Sequence, residues 1–119
     1  PLMKTLESPA WVARKNAAWA LGALDDSRAA PSLTKLLSDG EPQVREQAAW
    51  ALGALSAESA VPSLISAVRD TDPRVRAQAA WALGAIGDPR ALGAVLVALR
   101  DADPMVRRQG AWATGVLAR

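Results

Sequence analysis

The sequence contains neither cysteine nor histidine. The missing cysteines exclude disulfides, thiolate nucleophiles and cysteine-ligated metals, and the missing histidines remove the commonest metal ligand and general base. No apolar run approaches the ~18 residues of a membrane helix, and no signal peptide opens the sequence. We therefore expect a cytoplasmic protein with no membrane contact, no metal site and no cofactor.

The sequence also has no large excess of either positive or negative charge. Fourteen basic and twelve acidic residues give a formal net charge of +2, which does not suggest a nucleic-acid-binding arm or a polybasic membrane anchor. Half of the residues are apolar and 22% are charged, as in soluble, foldable domains. The abundant residues are alanine, which occurs 27 times, and tryptophan, which occurs five times although tyrosine and phenylalanine are absent.

An internal repeat of 31 residues dominates the sequence. Residues 17–24 recur at 48–55 and 79–86 and, with changes, at 111–117. The same period relates four tryptophans, four arginines and three aspartates, namely Trp19, Trp50, Trp81 and Trp112, Arg14, Arg45, Arg76 and Arg107, and Asp39, Asp70 and Asp101. Such a period predicts a repeat architecture.

Each repeat is predicted to form two helices. Asp72-Pro73 and Asp88-Pro89 place a capping residue before a proline in the first helical turn, and the short linkers favour antiparallel neighbours. One hairpin cannot bury its apolar face alone, so the hairpins should stack. We predict an all-α fold, a right-handed α-solenoid of about four 31-residue hairpins. Its single domain covers residues 1–119, with units at about 1–24 (clipped), 25–55, 56–86 and 87–119.

One stripe of each second helix pairs a carboxamide with a tryptophan three residues later. At 100° per residue, this stripe lies beside the predicted apolar core stripe, which in the second unit contains Val44, Ala48 and Leu52. The pairs are Asn16 and Trp19, Gln47 and Trp50, Gln78 and Trp81, and Gln109 and Trp112. A recurring glycine on the far side of the helix, as at Gly53, indicates either close approach between units or a bend near the helix end.

Two interpretations of the tryptophan stripe stay open. In the first, each tryptophan packs on the neighbouring repeat and only the edge of its ring is exposed to solvent. In the second, the stripe is a binding surface. Adjacent helices lie ~8–10 Å apart, which matches about three residues of extended chain, and a carboxamide can hydrogen-bond both the N–H and the C=O of a peptide unit. The two interpretations are compatible.

The segment from Asp70 to Asp88 carries a recognisable pattern, Asp-x-Asp-Pro-x-Val-Arg-x-x-Ala-Ala-x-Ala-Leu-Gly-x-Ile-Gly-Asp. It resembles the HEAT-like repeats of the phycobilisome-lyase type, and the resemblance extends over essentially the whole chain. It implies HEAT-like helical hairpins in which the tryptophan positions face the concave side of the solenoid. It also implies an Asp–Arg ladder that ties adjacent units, made here by Asp39, Arg45, Asp70, Arg76, Asp101 and Arg107 together with Arg14.

The resemblance brings no enzyme chemistry with it. HEAT-like deoxyhypusine hydroxylase binds iron through His-Glu pairs, and the matching positions here hold Lys15-Asn16, Glu46-Gln47, Ala77-Gln78 and Arg108-Gln109. HEAT-like DNA glycosylases use a basic cleft, but this stripe carries one clear cation, Arg74. We therefore expect no enzyme and no nucleic-acid partner.

The predicted function is a protein-interaction or self-assembly scaffold. The carboxamide and tryptophan pairs would bind a protein or an extended peptide on the concave face. The alternative is an accessory subunit of a bilin-lyase-like or other cofactor-attachment enzyme. Because both ends of the predicted stack are apolar, we also expect a homo-oligomer, most simply a two-fold dimer, that forms through the exposed ends.

Overall fold

The computed structural model describes all 119 residues and contains eight α-helices and no strand. Three short 3-10 turns, at Ser27–Ala29, Glu58–Ala60 and Pro89–Ala91, lead into α3, α5 and α7. The predicted all-α stack of helical hairpins is confirmed. The helices are α1 (Leu2–Thr5), α2 (Trp11–Ala23), α3 (Ala30–Leu36), α4 (Pro42–Ala54), α5 (Val61–Ala67), α6 (Pro73–Ile86), α7 (Leu92–Ala98) and α8 (Pro104–Leu117).

Proline and aspartate set the start of the second helices. Prolines open α4, α6 and α8, where a missing N–H costs no helical hydrogen bond. The carboxylate of Asp72 accepts from the backbone N–H of Arg74 at 2.8 Å, and Asp103 does the same for Met105 at 2.8 Å. These bonds satisfy N–H groups that the first turn of a helix leaves free.

Left-handed residues end the first three second helices. Asp25, Ser56 and Gly87 have φ angles of 56°, 51° and 78°, and they stand 31 residues apart. Glycine adopts this conformation without strain, whereas aspartate and serine do so at a cost. These turns connect the second helix of one hairpin to the 3-10 turn that opens the next hairpin.

The helices form two layers. The second helices α2, α4, α6 and α8 pack side by side in an inner layer, whereas α3, α5 and α7 pack on their own hairpin partners and contact one another little. Open grooves therefore separate α3 from α5 and α5 from α7. The whole stack measures 39 × 25 × 19 Å.

The core lies between these layers and is entirely apolar. Val44, Ala48 and Leu52 of the predicted core stripe are fully buried, and no polar or charged residue is buried. Leucines of the outer layer, such as Leu33 and Leu64, meet them from the other side. None of the helices combines the length and the apolar character that crossing a membrane requires.

Candidate binding face

Tryptophans of the inner layer pack against glycines of the preceding hairpin. A Cβ atom built on Gly22 would lie 2.8 Å from Cζ3 of Trp50, and one built on Gly53 would lie 2.6 Å from Cζ3 of Trp81. Trp112 approaches Gly84 in the same way, at 2.5 Å. Of the two explanations for the recurring glycine, close approach between units therefore applies at these three junctions, because any larger side chain would displace the indole.

The four stripe tryptophans differ in exposure. Trp19 is 55% exposed and Trp112 is 46% exposed, whereas Trp50 and Trp81, which have a hairpin on each side, are half-buried against the core. Packing between repeats thus describes Trp50, Trp81 and Trp112, whereas no glycine of another hairpin lies against Trp19. No indole N–H forms a hydrogen bond within the chain, and no buried polar side-chain atom lacks a partner, so the indole N–H groups face solvent.

The carboxamides of the stripe also have no partner within the chain. Asn16 is exposed, and Gln47, Gln78 and Gln109 are half-buried. None of them takes part in a side-chain hydrogen bond, yet no buried side-chain nitrogen or oxygen is left unsatisfied. Their amide groups therefore reach water, where they can both donate to and accept from a bound chain.

The charges that border the stripe are mixed. Lys15, Glu46 and Arg108 lie one position before the carboxamides, and Arg74 stands in the stripe itself. The carboxylate of Glu46 helps to raise the pKa of the Arg74 guanidinium, after the larger effect of its hydrogen bond to Asp72. No group of three or more acidic side chains comes together as a metal site would require.

A second set of contacts joins the hairpins at their loops. Arg14 donates from Nε and Nη2 to the two carboxylate oxygens of Asp39, at 2.8 and 3.0 Å. Arg45 forms the same bidentate ion pair with Asp70, at 2.9 and 3.1 Å. Arg76 forms it with Asp101, at 2.8 and 3.1 Å. Each carboxylate comes from the hairpin after that of its arginine, so the ladder spans three junctions.

Each arginine of the ladder is also tied to its own hairpin. Nη1 of Arg45 donates to the carbonyl oxygen of Asp39 at 2.7 Å, and Nη1 of Arg76 donates to that of Asp70 at 2.9 Å. Arg107, which was predicted to belong to the ladder, donates in the same way to the carbonyl oxygen of Asp101 at 2.7 Å but forms no ion pair with a carboxylate. It is exposed.

The pKa values of two ladder carboxylates, Asp39 and Asp101, are lowered. The hydrogen bond from Arg76 lowers the pKa of Asp101 against the opposing effect of burial. At Asp39, burial is the largest single influence and would raise the pKa, but the hydrogen bonds from Arg14 and from the N–H of Glu41 outweigh it, so the pKa is lowered. Exposed arginines two residues further along the chain lower the pKa values of Asp26, Asp72 and Asp88.

These lowered pKa values predict that the fold weakens in acid. A carboxyl group with a folded pKa below its unfolded value of about 3.9 stabilises the fold at higher pH, and this stabilisation is lost as pH falls through the folded pKa. We expect the free energy of unfolding, measured in urea, to be level above about pH 5 and to fall below it. The variant Asp101→Asn should fall less steeply, and identical slopes would contradict the assignment.

Removing one ladder carboxylate should also destabilise the stack at neutral pH. The carboxylate of Asp70 accepts hydrogen bonds from Nε and Nη2 of Arg45. It also accepts one from the backbone N–H of Asp72 at 2.9 Å. Asp70→Ala is therefore expected to lower the free energy of unfolding by about 1–3 kcal/mol. Glu7→Ala, at an exposed acid with no such contacts, is the control and should change little. Equal effects in denaturant melts would show that the ladder adds no stability.

Sequence comparison assigns the repeat. A profile of HEAT repeats matches residues 31–115, which is more than half of the chain. The chain belongs to the HEAT-repeat family. A profile of PBS lyase HEAT-like repeats matches residues 13–39 of this HEAT-repeat chain, in agreement with the resemblance seen in its sequence. Comparison with curated protein sequences gives no significant match.

Solved structures with the same fold include subunits of enzymes. The complex of CpcE and CpcF of phycocyanin lyase from Nostoc sp. PCC7120 is matched at 28% identity with a TM-score of 0.89, over 98% of this chain and 52% of that one. Human deoxyhypusine hydroxylase is matched at 32% identity with a TM-score of 0.83, over 98% and 42%. The present chain thus spans about half the length of these proteins, or less.

A designed armadillo repeat protein in complex with the peptide (KR)4 shares the fold alone. It is matched at 20% identity with a TM-score of 0.77, over 98% of this chain and 63% of the designed one. The Kap95:Nup1 complex is matched at 18% identity with a TM-score of 0.86, over 98% and 18%. Both likenesses place the two-layered stack of hairpins among HEAT and armadillo solenoids.

Proposed function

We propose that this HEAT-repeat chain is a non-catalytic scaffold that binds an extended segment of another protein along its inner layer. The observation that carries the proposal is the row of carboxamides without partners, each beside a tryptophan. Gln47 and Gln78 offer this arrangement in the two units that have neighbours on both sides. Their amides reach solvent, whereas the nearby ladder arginines Arg45 and Arg76 are already paired with Asp70 and Asp101.

The spacing of the inner helices suits an extended peptide. Adjacent helices in such packing lie ~8–10 Å apart, and an extended strand rises about 3.3 Å per residue. Two carboxamides on neighbouring helices could therefore each bind a peptide unit about three residues apart. Each carboxamide can accept a hydrogen bond from a peptide N–H and donate one to a peptide C=O. The carboxamides would therefore bind the backbone of the segment without selecting its side chains.

The tryptophans would supply the apolar walls between these polar contacts. Trp50 and Trp81 are held in place because each packs against a glycine of the preceding helix. A side chain that is already ordered loses little further entropy when a ligand binds, and a large indole contributes much apolar contact. The end tryptophans, Trp19 and Trp112, are more exposed and should contribute less.

Related folds support a role in protein binding. The designed armadillo repeat protein holds the peptide (KR)4, and Kap95 is in complex with Nup1. Their low identity to this chain shows the fold alone, so the ligand chemistry has to come from the residues of this chain. Here the carboxamides and indoles point to an extended segment with apolar side chains at intervals.

The proposal is tested by selecting peptides from a displayed random library with the intact chain. The affinity of each selected peptide is then measured by fluorescence anisotropy. Gln47→Ala/Gln78→Ala should weaken binding roughly thirtyfold if each carboxamide makes one hydrogen bond of about 1 kcal/mol.

The matched control removes two polar groups from the opposite side of the molecule. Ser38 and Ser66 line the outer groove between α3 and α5, so Ser38→Ala/Ser66→Ala should leave the affinity unchanged. Equal losses in the two double variants would contradict an inner binding face. A library that yields no binder to the chain would do so as well.

A second function is favoured by the likeness to the lyase subunits. The match to the CpcE–CpcF complex, at 28% identity over 98% of this chain, supports a role as an accessory subunit of a cofactor-attachment enzyme. In that case the inner face would meet a partner subunit or its tetrapyrrole substrate. A change in the absorbance of a free bilin on addition of the chain would favour this function, and an unchanged spectrum would favour the peptide-binding one.

A further inference from the structure

The repeats differ from one another at one position of the inner face. This position comes directly before each carboxamide and one turn before each tryptophan, so its side chain lies on the same side of the helix as the tryptophan. In the four second helices it holds Lys15, Glu46, Ala77 and Arg108. We call it the variable position, because its charge changes from unit to unit while the carboxamide and the tryptophan recur in every unit.

Glu46 is the one acidic residue in the four second helices. It is half-buried, and its carboxylate has no ion-pair partner within 4 Å. The nearby guanidinium of Arg74 donates instead to Asp72, at 3.1 and 3.3 Å. Since no buried side-chain oxygen lacks a hydrogen bond, the carboxylate of Glu46 reaches solvent and is open to a cation of a bound segment.

Lys15 carries the opposite charge in the neighbouring unit. Its Nζ lies 5.9 Å from the centroid of the Trp11 ring, and it also forms no ion pair within the chain. Two adjacent second helices therefore present an unpaired positive and an unpaired negative charge at equivalent places. The next unit presents no charge there, at Ala77.

Binding through the backbone alone does not fix where a segment lies on the inner face. Every unit offers a carboxamide beside a tryptophan, so a segment held only by its peptide units could shift by one unit and make the same contacts. The variable position removes this equivalence, because a shifted segment would bring its charges against the wrong residues.

The spacing of the units indicates the conformation of the segment. Adjacent helices lie ~8–10 Å apart, and three residues of a polyproline II helix rise about 9 Å. Side chains three residues apart point to the same side of that helix, because it has three residues per turn. In a β-strand they would point to opposite sides. A segment that meets two variable positions with side chains three residues apart therefore adopts the polyproline II conformation.

We propose that the inner face selects a polyproline II segment by its charge pattern, with an acidic side chain at Lys15 and a basic side chain three residues away at Glu46. A further three residues along, no charge is needed opposite Ala77. Complementary charges of this kind fix the register of a partner and reject like-charged ones. The inference rests on the proposed peptide-binding function and adds the selection of side chains that the carboxamides do not provide.

The first measurement is the sequence pattern of peptides that the intact chain selects from a displayed random library. We expect an acidic and a basic residue three positions apart to be enriched over the unselected library. Binders whose charged residues show no preferred spacing would contradict the proposal.

The second measurement reverses one charge of the chain. Glu46→Lys should fold as the unmodified chain does, because the repeat already holds a lysine at this position in Lys15, and circular dichroism checks this. Its affinity for a selected peptide, measured by fluorescence anisotropy, should be about tenfold lower. The loss should shrink at 1 M salt, where charges are screened beyond about 3 Å.

A reciprocal change in the peptide makes the test specific. Replacing the basic residue of the peptide with an acidic one should restore binding to Glu46→Lys and weaken binding to the unmodified chain. Glu58→Lys is the matched control, since it makes the same charge change at an exposed residue in the turn that leads into the outer helix α5. It should leave the affinity unchanged.

The outcomes separate this inference from the function on which it rests. Equal losses for Glu46→Lys and Glu58→Lys, or no restoration by the altered peptide, would overturn the charge selection. Peptides that are weakened by Gln47→Ala/Gln78→Ala but bind Glu46→Lys unchanged would do so as well, while the peptide-binding function would stand. A library that yields no binder would overturn both.

Discussion

Trp81→Ala is expected to lower the free energy of unfolding by about 3 kcal/mol, at the lower end of the cost of removing a packed tryptophan. The indole is half-buried between two hairpins and rests on Gly53. Alanine would leave a gap over that glycine which the rigid backbone of α4 and α6 cannot close. Urea unfolding followed by circular dichroism measures the loss without relying on the fluorescence of the removed residue.

The matched variant is Trp19→Ala. Trp19 has the same place in its helix but is 55% exposed and packs on no glycine of another hairpin. Its removal should cost less than about 1 kcal/mol, as for an ordinary surface substitution. Equal losses for Trp19 and Trp81, or a small loss for both, would show that the tryptophans do not hold the hairpins together.

Gly53→Ala is expected to destabilise the stack by about 1–3 kcal/mol through overpacking, although alanine is the better helix former by about 1 kcal/mol. The added methyl group would lie 2.6 Å from the indole of Trp81 and 2.8 Å from the Cα of Ala82. The Cα of Ala82 is a backbone atom that cannot move by a change of rotamer, so the two helices have to move apart. Thermal and urea unfolding both report the change.

Gly115→Ala should have the opposite sign. A Cβ at this position meets nothing within 4 Å, so only the gain in helix propensity remains, up to about 1 kcal/mol. If Gly53→Ala and Gly115→Ala shift the stability in the same direction, then the glycines serve the helices themselves and not the contact between them.

Much of the fold can be predicted from the sequence because its signals are local and repeated. The 31-residue period and the proline and aspartate at Asp72-Pro73 define the hairpins, and the spacing of Val44, Ala48 and Leu52 defines the buried stripe. Each of these signals depends on neighbours within a few turns of one helix. Repetition then shows that the units must stack.

The exposure of the candidate site could not be predicted in the same way. The periodicity gives the direction of Trp19 and of Trp81 around the helix and makes them equivalent. Their difference depends on whether a preceding hairpin is there, and on a glycine 28 residues earlier in the sequence, as Gly53 is for Trp81. The left-handed turns at Asp25 and Ser56 could not be predicted from the sequence either, because neither residue type indicates a positive φ as strongly as glycine does.

The central claim, that the inner layer binds an extended segment, is tested most directly by NMR with a library-selected peptide. The account predicts that titration shifts the side-chain amide signals of Gln47 and Gln78 and the indole signals of Trp50 and Trp81. Signals from the outer helices α3, α5 and α7 should stay in place. Shifts confined to the outer helices would contradict the account, as would inner-face signals that do not move at saturating peptide.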